Sequence, residues 1–118
     1  MYVKTWQATE RNELGRVTRA VEHYTYSNYT LTTEEQNTYN PDRRVLTQSR
    51  VTKNPSGIVC GSSFIEHTYH ANRRVRSIRY EQDIDGNGNP DQIILENYSE
   101  SGDLISTLYD SNGDGQWD

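Results

Sequence analysis

Two nine-residue segments in the C-terminal third carry the residue types from which a site for a hard cation is built. Residues 83–91 read Asp83-Ile84-Asp85-Gly86-Asn87-Gly88-Asn89-Pro90-Asp91, and residues 110–118 read Asp110-Ser111-Asn112-Gly113-Asp114-Gly115-Gln116-Trp117-Asp118. Both place Asp or Asn at positions 1, 3 and 5, Gly at 4 and 6, and Asp at 9. Calcium is the ion that suits such a loop, because it takes six to eight oxygen ligands at roughly 2.3–2.6 Å in a flexible geometry. Alternate side chains at positions 1, 3 and 5 of a tight loop point inward, the glycine at position 6 permits the sharp turn, position 7 offers a carbonyl, and the Asp at 9 ligates directly or through water. The expected ligands are Asp83, Asp85, Asn87, Asn89 and Asp91 for one Ca2+, and Asp110, Asn112, Asp114, Gln116 and Asp118 for a second. Magnesium fits less well, since it demands near-ideal octahedral geometry and dehydrates reluctantly. Asp-Gly and Asn-Gly pairs are also good turn formers without any metal. Against a plain turn stands the charge: three carboxylates in each loop repel one another unless a cation sits among them.

The segments resemble the calcium loops of EF-hands, dockerins, and thrombospondin type 3 or integrin-like repeats. The twelfth position of the first is Ile94 rather than the bidentate Glu of an EF-hand, and Arg79-Tyr80 before it and Ile93-Ile94-Leu95 after it have strand character rather than helical character. The likeness is therefore to shorter loops set between strands. Without the bidentate Glu the affinity expected is modest, on the order of 0.1–1 mM as in extracellular modules. That range favours an extracellular or cell-surface setting for a site that is structural.

The elements that must position these loops are strands. No stretch carries an apolar stripe at helical spacing, whereas Thr, Val, Ile and Tyr recur in short alternating runs between clusters of Asn, Asp, Gly, Ser and Pro. Tyr39, Tyr69 and Tyr98 each close such a run and are followed six residues later by Val45, Val75 and Leu104, and two residues beyond by Thr47, Ser77 and Ser106. Turn formers lie between. Shorter and longer versions of the pattern begin at Tyr26 and Trp6. The fold expected is all-β, an antiparallel β-meander of roughly five hairpins, with calcium-binding connecting loops, spanning residues 1–118 as one domain. Asn54-Pro55-Ser56-Gly57 reads as a surface turn within that sheet rather than a domain boundary.

Glu13-Leu14-Gly15-Arg16-Val17, Asp42-Arg43-Arg44-Val45 and Asn72-Arg73-Arg74-Val75 resemble the YD repeats of Rhs-type bacterial proteins, over residues 6–109. The Asp that follows Tyr in that family is present only at Tyr109-Asp110, and its Gly only at Gly15 and Gly102. The resemblance implies an antiparallel meander.

Composition and charge set the remaining bounds. Val, Ile, Leu and Phe make up less than a fifth of the 118 residues, too few for a thick enzyme core, while nine Tyr and two Trp can cover a sheet face. The formal charge of −5 conceals an asymmetry: residues 1–80 hold all 12 Lys and Arg against seven acids, and residues 81–118 hold ten acids and no base. No run of 18 apolar residues and no apolar leader is found, so no membrane span and no signal peptide is expected. A single cysteine, Cys60, leaves no intrachain disulfide.

Three further patterns in the chain bear on function. Arg73-Arg74-Val75-Arg76-Ser77-Ile78-Arg79 suggests nucleic acid, but read as a strand it divides its charges between two faces, and the chain lacks an overall basic footprint. His67, His70 and Cys60 do not form a converging nucleophile, base and orienting group, so no enzyme is expected, and Cys60 reads as a small core residue. The tyrosines suit an aromatic sheet face for a protein or carbohydrate partner, as in an adhesin, toxin-associated or immunity-type module, and open sheet edges permit self-association. The function expected is a non-enzymatic calcium-binding β-repeat domain; the alternative is that interaction module.

Overall fold

The computed structural model describes residues 1–118, all of them in strands, turns or loops. Eight strands follow one another: β1 (Val3–Arg11), β2 (Val17–Thr25), β3 (Thr30–Tyr39), β4 (Val45–Lys53), β5 (Val59–Tyr69), β6 (Val75–Asp83), β7 (Gln92–Tyr98) and β8 (Leu104–Asp110). They form one antiparallel sheet in the order β1-β2-β3-β4-β5-β6-β7-β8. The chain is thus a meander of four hairpins rather than five. Tyr26 and Tyr29, in the segment expected to open a hairpin of its own, instead close the turn between β2 and β3, where the Tyr26 N–H donates to the Tyr29 carbonyl at 2.8 Å.

Five of the connections are built alike. In Asn12–Arg16, Asn40–Arg44, Asn54–Ile58, His70–Arg74 and Ser99–Asp103 the fourth residue's N–H donates to the first residue's carbonyl at 2.9–3.0 Å. The first residue's N–H donates in turn to the fifth residue's carbonyl at 2.8–2.9 Å. The fourth residue has positive φ in every case: Gly15, Arg43, Gly57, Arg73 and Gly102. This is a type I turn closed by a left-handed bulge residue, a connection whose twist matches that of the strands. Side-chain oxygens of Asn12, Asn40, Asn54 and Ser99 accept an N–H from the last turn residue, which accounts for the choice of Asn and Ser at the head of the turn.

The spacing of Tyr39, Tyr69 and Tyr98 has a counterpart in the register. The residue before each tyrosine pairs across the hairpin with the hydroxyl residue singled out above: Thr38 with Thr47, Thr68 with Ser77, and Asn97 with Ser106. Each pair is hydrogen-bonded through its side chains. Tyr39 and Tyr69 reach back to the first residue of the neighbouring strand, donating their hydroxyls to the carbonyls of Val17 at 2.7 Å and Val45 at 2.6 Å.

No second layer covers this sheet, and only Ala20 and Ile93 are buried apolar residues. Cys60, expected in the core, is exposed for that reason. The most enclosed charged group in the N-terminal half is Glu22, whose carboxylate accepts the Tyr24 hydroxyl at 2.7 Å and pairs with Lys4 at 2.9 Å and with Arg50. Burial opposes its ionisation, but the Tyr24 hydroxyl, Lys4 and Arg50 outweigh that and hold the carboxyl below the usual range. Stability must come chiefly from the 69 backbone hydrogen bonds and from cross-strand side-chain pairs.

Candidate metal centre

The two nonapeptides lie at one end of the sheet, the first joining β6 to β7 and the second following β8. They adopt the same hydrogen-bonded form. The position 1 carboxylate sits at the base of each loop: Asp83 accepts the N–H of Gly86 at 2.9 Å and of Gly88 at 2.8 Å, and Asp110 accepts those of Gly113 and Gly115, both at 2.8 Å. Position 3 accepts the N–H of position 5, Asp85 from Asn87 at 3.1 Å and Asn112 from Asp114 at 3.3 Å. Position 5 accepts that of position 7, Asn87 from Asn89 and Asp114 from Gln116, each at 2.8 Å. The Asp at 9 closes the ring on position 2, Asp91 on the Ile84 N–H at 2.6 Å and Asp118 on the Ser111 N–H at 3.1 Å. Its own N–H completes the closure, bonding the carbonyl of Gln82 or Tyr109, the residue just before each loop, at 2.7 Å.

This network explains the sequence template. Polar side chains at odd positions turn the backbone at every second residue, and glycines at 4 and 6 supply positive φ at Gly86, Gly88, Gly113 and Gly115. Asp110 is 1% exposed and Asp83 7% exposed. Burial opposes the ionisation of both. For Asp83 it is outweighed by the amides of Gly88 and Gly86, and for Asp110 by those of Gly115, Gly113 and Asp114, so both carboxyls stay below the usual carboxylate range.

The loops differ in how their acids gather. In the first, one carboxylate oxygen from each of Asp83, Asp85 and Asp91 lies within 4.8 Å of the others. In the second, Asp110, Asp114 and Asp118 do not converge in this way. Oxygens bound to one calcium at roughly 2.3–2.6 Å stand no more than about 5 Å apart, so the first triad is spaced as calcium ligands are. Each carboxylate also keeps acceptor capacity, since two oxygens offer about four lone-pair sites and the loop amides occupy only some of them. The side chains of Asn87 and Asn112 serve the loop backbone, and Gln116 enters the network through its N–H.

The loops pack on their surroundings at two points. A Cβ at Gly86 would stand 2.5 Å from the Val59 carbonyl oxygen, and one at Gly113 would collide with the carbonyl of Pro90. The second contact joins the two nonapeptides.

Spacing alone did not single out the tyrosines around Tyr2 or the ion cluster on Glu22. Tyr2 lies 5.7 Å from Tyr24 and 5.4 Å from Tyr26, ring centre to ring centre, and Tyr26 stacks on Tyr29 at 4.7 Å. Beside them a groove of about 490 Å3 runs from Tyr24 and Tyr26 over Arg50 and Ser63 to Asp83. Lys4, Glu22 and Arg50 lie on three strands, and only the register brings them together. Cys60 and His67 stay apart in their roles: the thiol donates to the Thr52 carbonyl at 3.4 Å, and the His67 ring stacks on Tyr69. No family model, curated protein or solved structure matches the chain.

Proposed function

We propose that this chain is a non-enzymatic calcium-binding β-sheet domain in which Ca2+ stabilises and orders the loops of the C-terminal third. The observation that carries this reading is the triad of Asp83, Asp85 and Asp91, with oxygens within 4.8 Å of one another in a loop already folded by its own amides. Three like charges at that distance favour a divalent cation between them. The second loop shares the backbone form and supplies Asp110, Asn112, Asp114, Gln116 and Asp118 to a second, weaker site. Its acids close on the ion only when it binds.

Isothermal calorimetry with Ca2+, paired with thermal melts in calcium and in chelator, tests the reading. Uptake at millimolar calcium with a raised Tm is expected, through binding to the folded state alone. Asp85→Asn should weaken the first site and leave the second. No uptake, with a Tm indifferent to chelator, overturns the reading.

A second reading, an interaction module, is favoured by the corner where exposed Tyr2 and Tyr29 flank half-buried Tyr26 beside the groove. Rings with polar edges next to hydroxyl, amide and guanidinium groups suit a protein or carbohydrate partner. Its test is partner or glycan binding that is lost in Tyr26→Ala and kept in Asp85→Asn.

A further inference from the structure

Four of the connections, β1–β2, β3–β4, β5–β6 and β7–β8, lie at the end of the sheet opposite the nonapeptides. Two neighbouring ones, β3–β4 and β5–β6, put arginine where the other like-built turns put glycine. Arg43 has φ 70° and Arg73 has φ 72°, and each is followed by a second arginine, Arg44 or Arg74. A left-handed conformation is unfavourable for a side-chain-bearing residue, and such strain persists where it serves a purpose. Arg73 and Arg74 therefore belong to a turn rather than to the strand expected for them, and only Arg76 and Arg79, on opposite faces of β6, divide their charges as expected. The two turns adjoin, with Arg73 Nε 3.6 Å from Asp42 Oδ2, and all four arginines are exposed.

The opposite end presents the complement. Beyond the enclosed Asp83 and Asp110, the two loops offer four more accessible carboxylates, Asp85, Asp91, Asp114 and Asp118. The loops adjoin through Pro90 and Gly113. Both the arginine turns and the acidic loops are two strands apart, which sets about 9.5 Å between the members of each pair. Nine-residue strands separate the two ends by roughly 30 Å, so the complementary groups cannot meet within one chain.

We infer that the Arg43-Arg44 and Arg73-Arg74 turns of one copy dock on the two nonapeptide loops of a second copy. The contact is head-to-tail with a stagger of three strands. That stagger leaves the acidic turn Ser99–Asp103, with Glu100 and Asp103, beyond the edge of the neighbouring sheet rather than against its carboxylates. A heterologous contact of this kind propagates instead of closing. It is small and made of exposed charges, so it is weak and salt-sensitive. Insofar as the loops bind calcium, the inference rests on the proposed function: the ion cancels the charge that the arginines recognise, and calcium disperses the assembly.

Analytical ultracentrifugation of the full chain in chelator at low ionic strength tests this. The apparent mass should rise with concentration above the 13.7 kDa monomer and return to it in 1 M salt, where the Debye length is about 3 Å. Arg43→Gly/Arg73→Gly should stay monomeric throughout while melting no lower than the parent, so that lost association is not lost folding. A parent that stays monomeric in chelator overturns the inference, including the case where its arginine turns bind a soluble polyphosphate instead. Association that survives in the double variant is edge pairing of strands and overturns it equally. Arginine-dependent association that millimolar calcium leaves intact upholds the docking and refutes calcium binding by the loops.

Discussion

Replacing Arg43 by glycine should stabilise the fold, against the usual outcome for glycine substitution. Arg43 holds φ 70° at the bulge position of the β3–β4 turn, where a left-handed residue with a Cβ costs about 1–2 kcal/mol. Glycine removes that cost and adds about 0.5–1 kcal/mol of chain entropy to be lost on folding. The net gain is about 0.5–1 kcal/mol. Arg73→Gly gains less, because it also gives up the exposed pair with Asp42, worth about 0.2–1 kcal/mol. Arg43→Ala keeps the left-handed penalty and should gain nothing. Together the two glycine changes should move the midpoint of urea unfolding upward with an unchanged slope, and raise Tm by about 3–6 °C for a chain of this size. Gly15→Ala, at the equivalent position of the first turn with φ 79° and open space around its Cβ, supplies the mirror experiment and should destabilise by about 0.5–1 kcal/mol. The reasoning fails if Arg43→Ala stabilises as much as Arg43→Gly, or if Arg43→Gly destabilises, since either result would show that the arginine side chain and not the backbone decides the site.

Tyr69→Phe removes the hydroxyl that bonds the Val45 carbonyl at 2.6 Å and should cost about 0.5–1.5 kcal/mol in denaturant unfolding, with the sheet otherwise unchanged. Gly113→Ala should lose more stability than Gly115→Ala, because both have positive φ but only the Cβ at 113 meets a backbone carbonyl, that of Pro90; equal losses would show that the loops do not pack on each other. Stability should fall in acid in two stages. Burial lowers the value of His67 in the folded state, so its contribution is complete above about pH 6.5 and is lost as pH falls below that. Asp83, Asp110 and Glu22, also lowered, contribute above the ordinary carboxylate range and lose that contribution as pH falls through it. His67→Gln should abolish the first stage of a Tm against pH curve and leave the second.

The sequence revealed the parts of this fold that follow from local rules. Alternation and turn chemistry gave strands throughout, and the tyrosine spacing marked where hairpins close, because the Thr38 to Thr47 and Thr68 to Ser77 pairs repeat with it. The count failed at Tyr26, where two tyrosines flanking Ser27-Asn28 resembled the end of one strand and the start of a new unit but close a tight turn. Cys60 was misplaced because a composition argument supposes a core on one side of every strand, and a sheet without a second layer has none. The nonapeptide template was legible residue by residue, since an Asx-linked loop is a local structure. Whether its acids converge was not: the loops share one sequence pattern and one hydrogen-bond network, yet only the first gathers three carboxylates. The arginine turns were hidden for a different reason. Arg43 and Arg73 are 30 residues apart, and only the meander makes their turns neighbours.

The last hairpin is where ion binding has the most to contribute. Tyr39 and Tyr69 each stitch their strand to a carbonyl at the start of the strand before it, but Tyr98 makes no such bond. The β7–β8 pair is held instead from its two ends. At the basic end His70, Asn72 and Arg74 bond the carbonyls of Tyr98, Glu100 and Ser101. At the acidic end the hold is the packing of Gly113 on Pro90 and the closure of each loop by its own aspartates. Carboxylate repulsion works against that second hold, and calcium bound as proposed would reverse its sign. Amide hydrogen exchange should therefore respond to calcium unevenly. Protection should rise in Gln92–Tyr98 and Leu104–Asp110, while β2 to β4, which the loops do not touch, should keep their rates. Uniform slowing across all eight strands would instead mean that the sheet opens as one unit, and that the acidic loops set its global stability rather than that of its last hairpin.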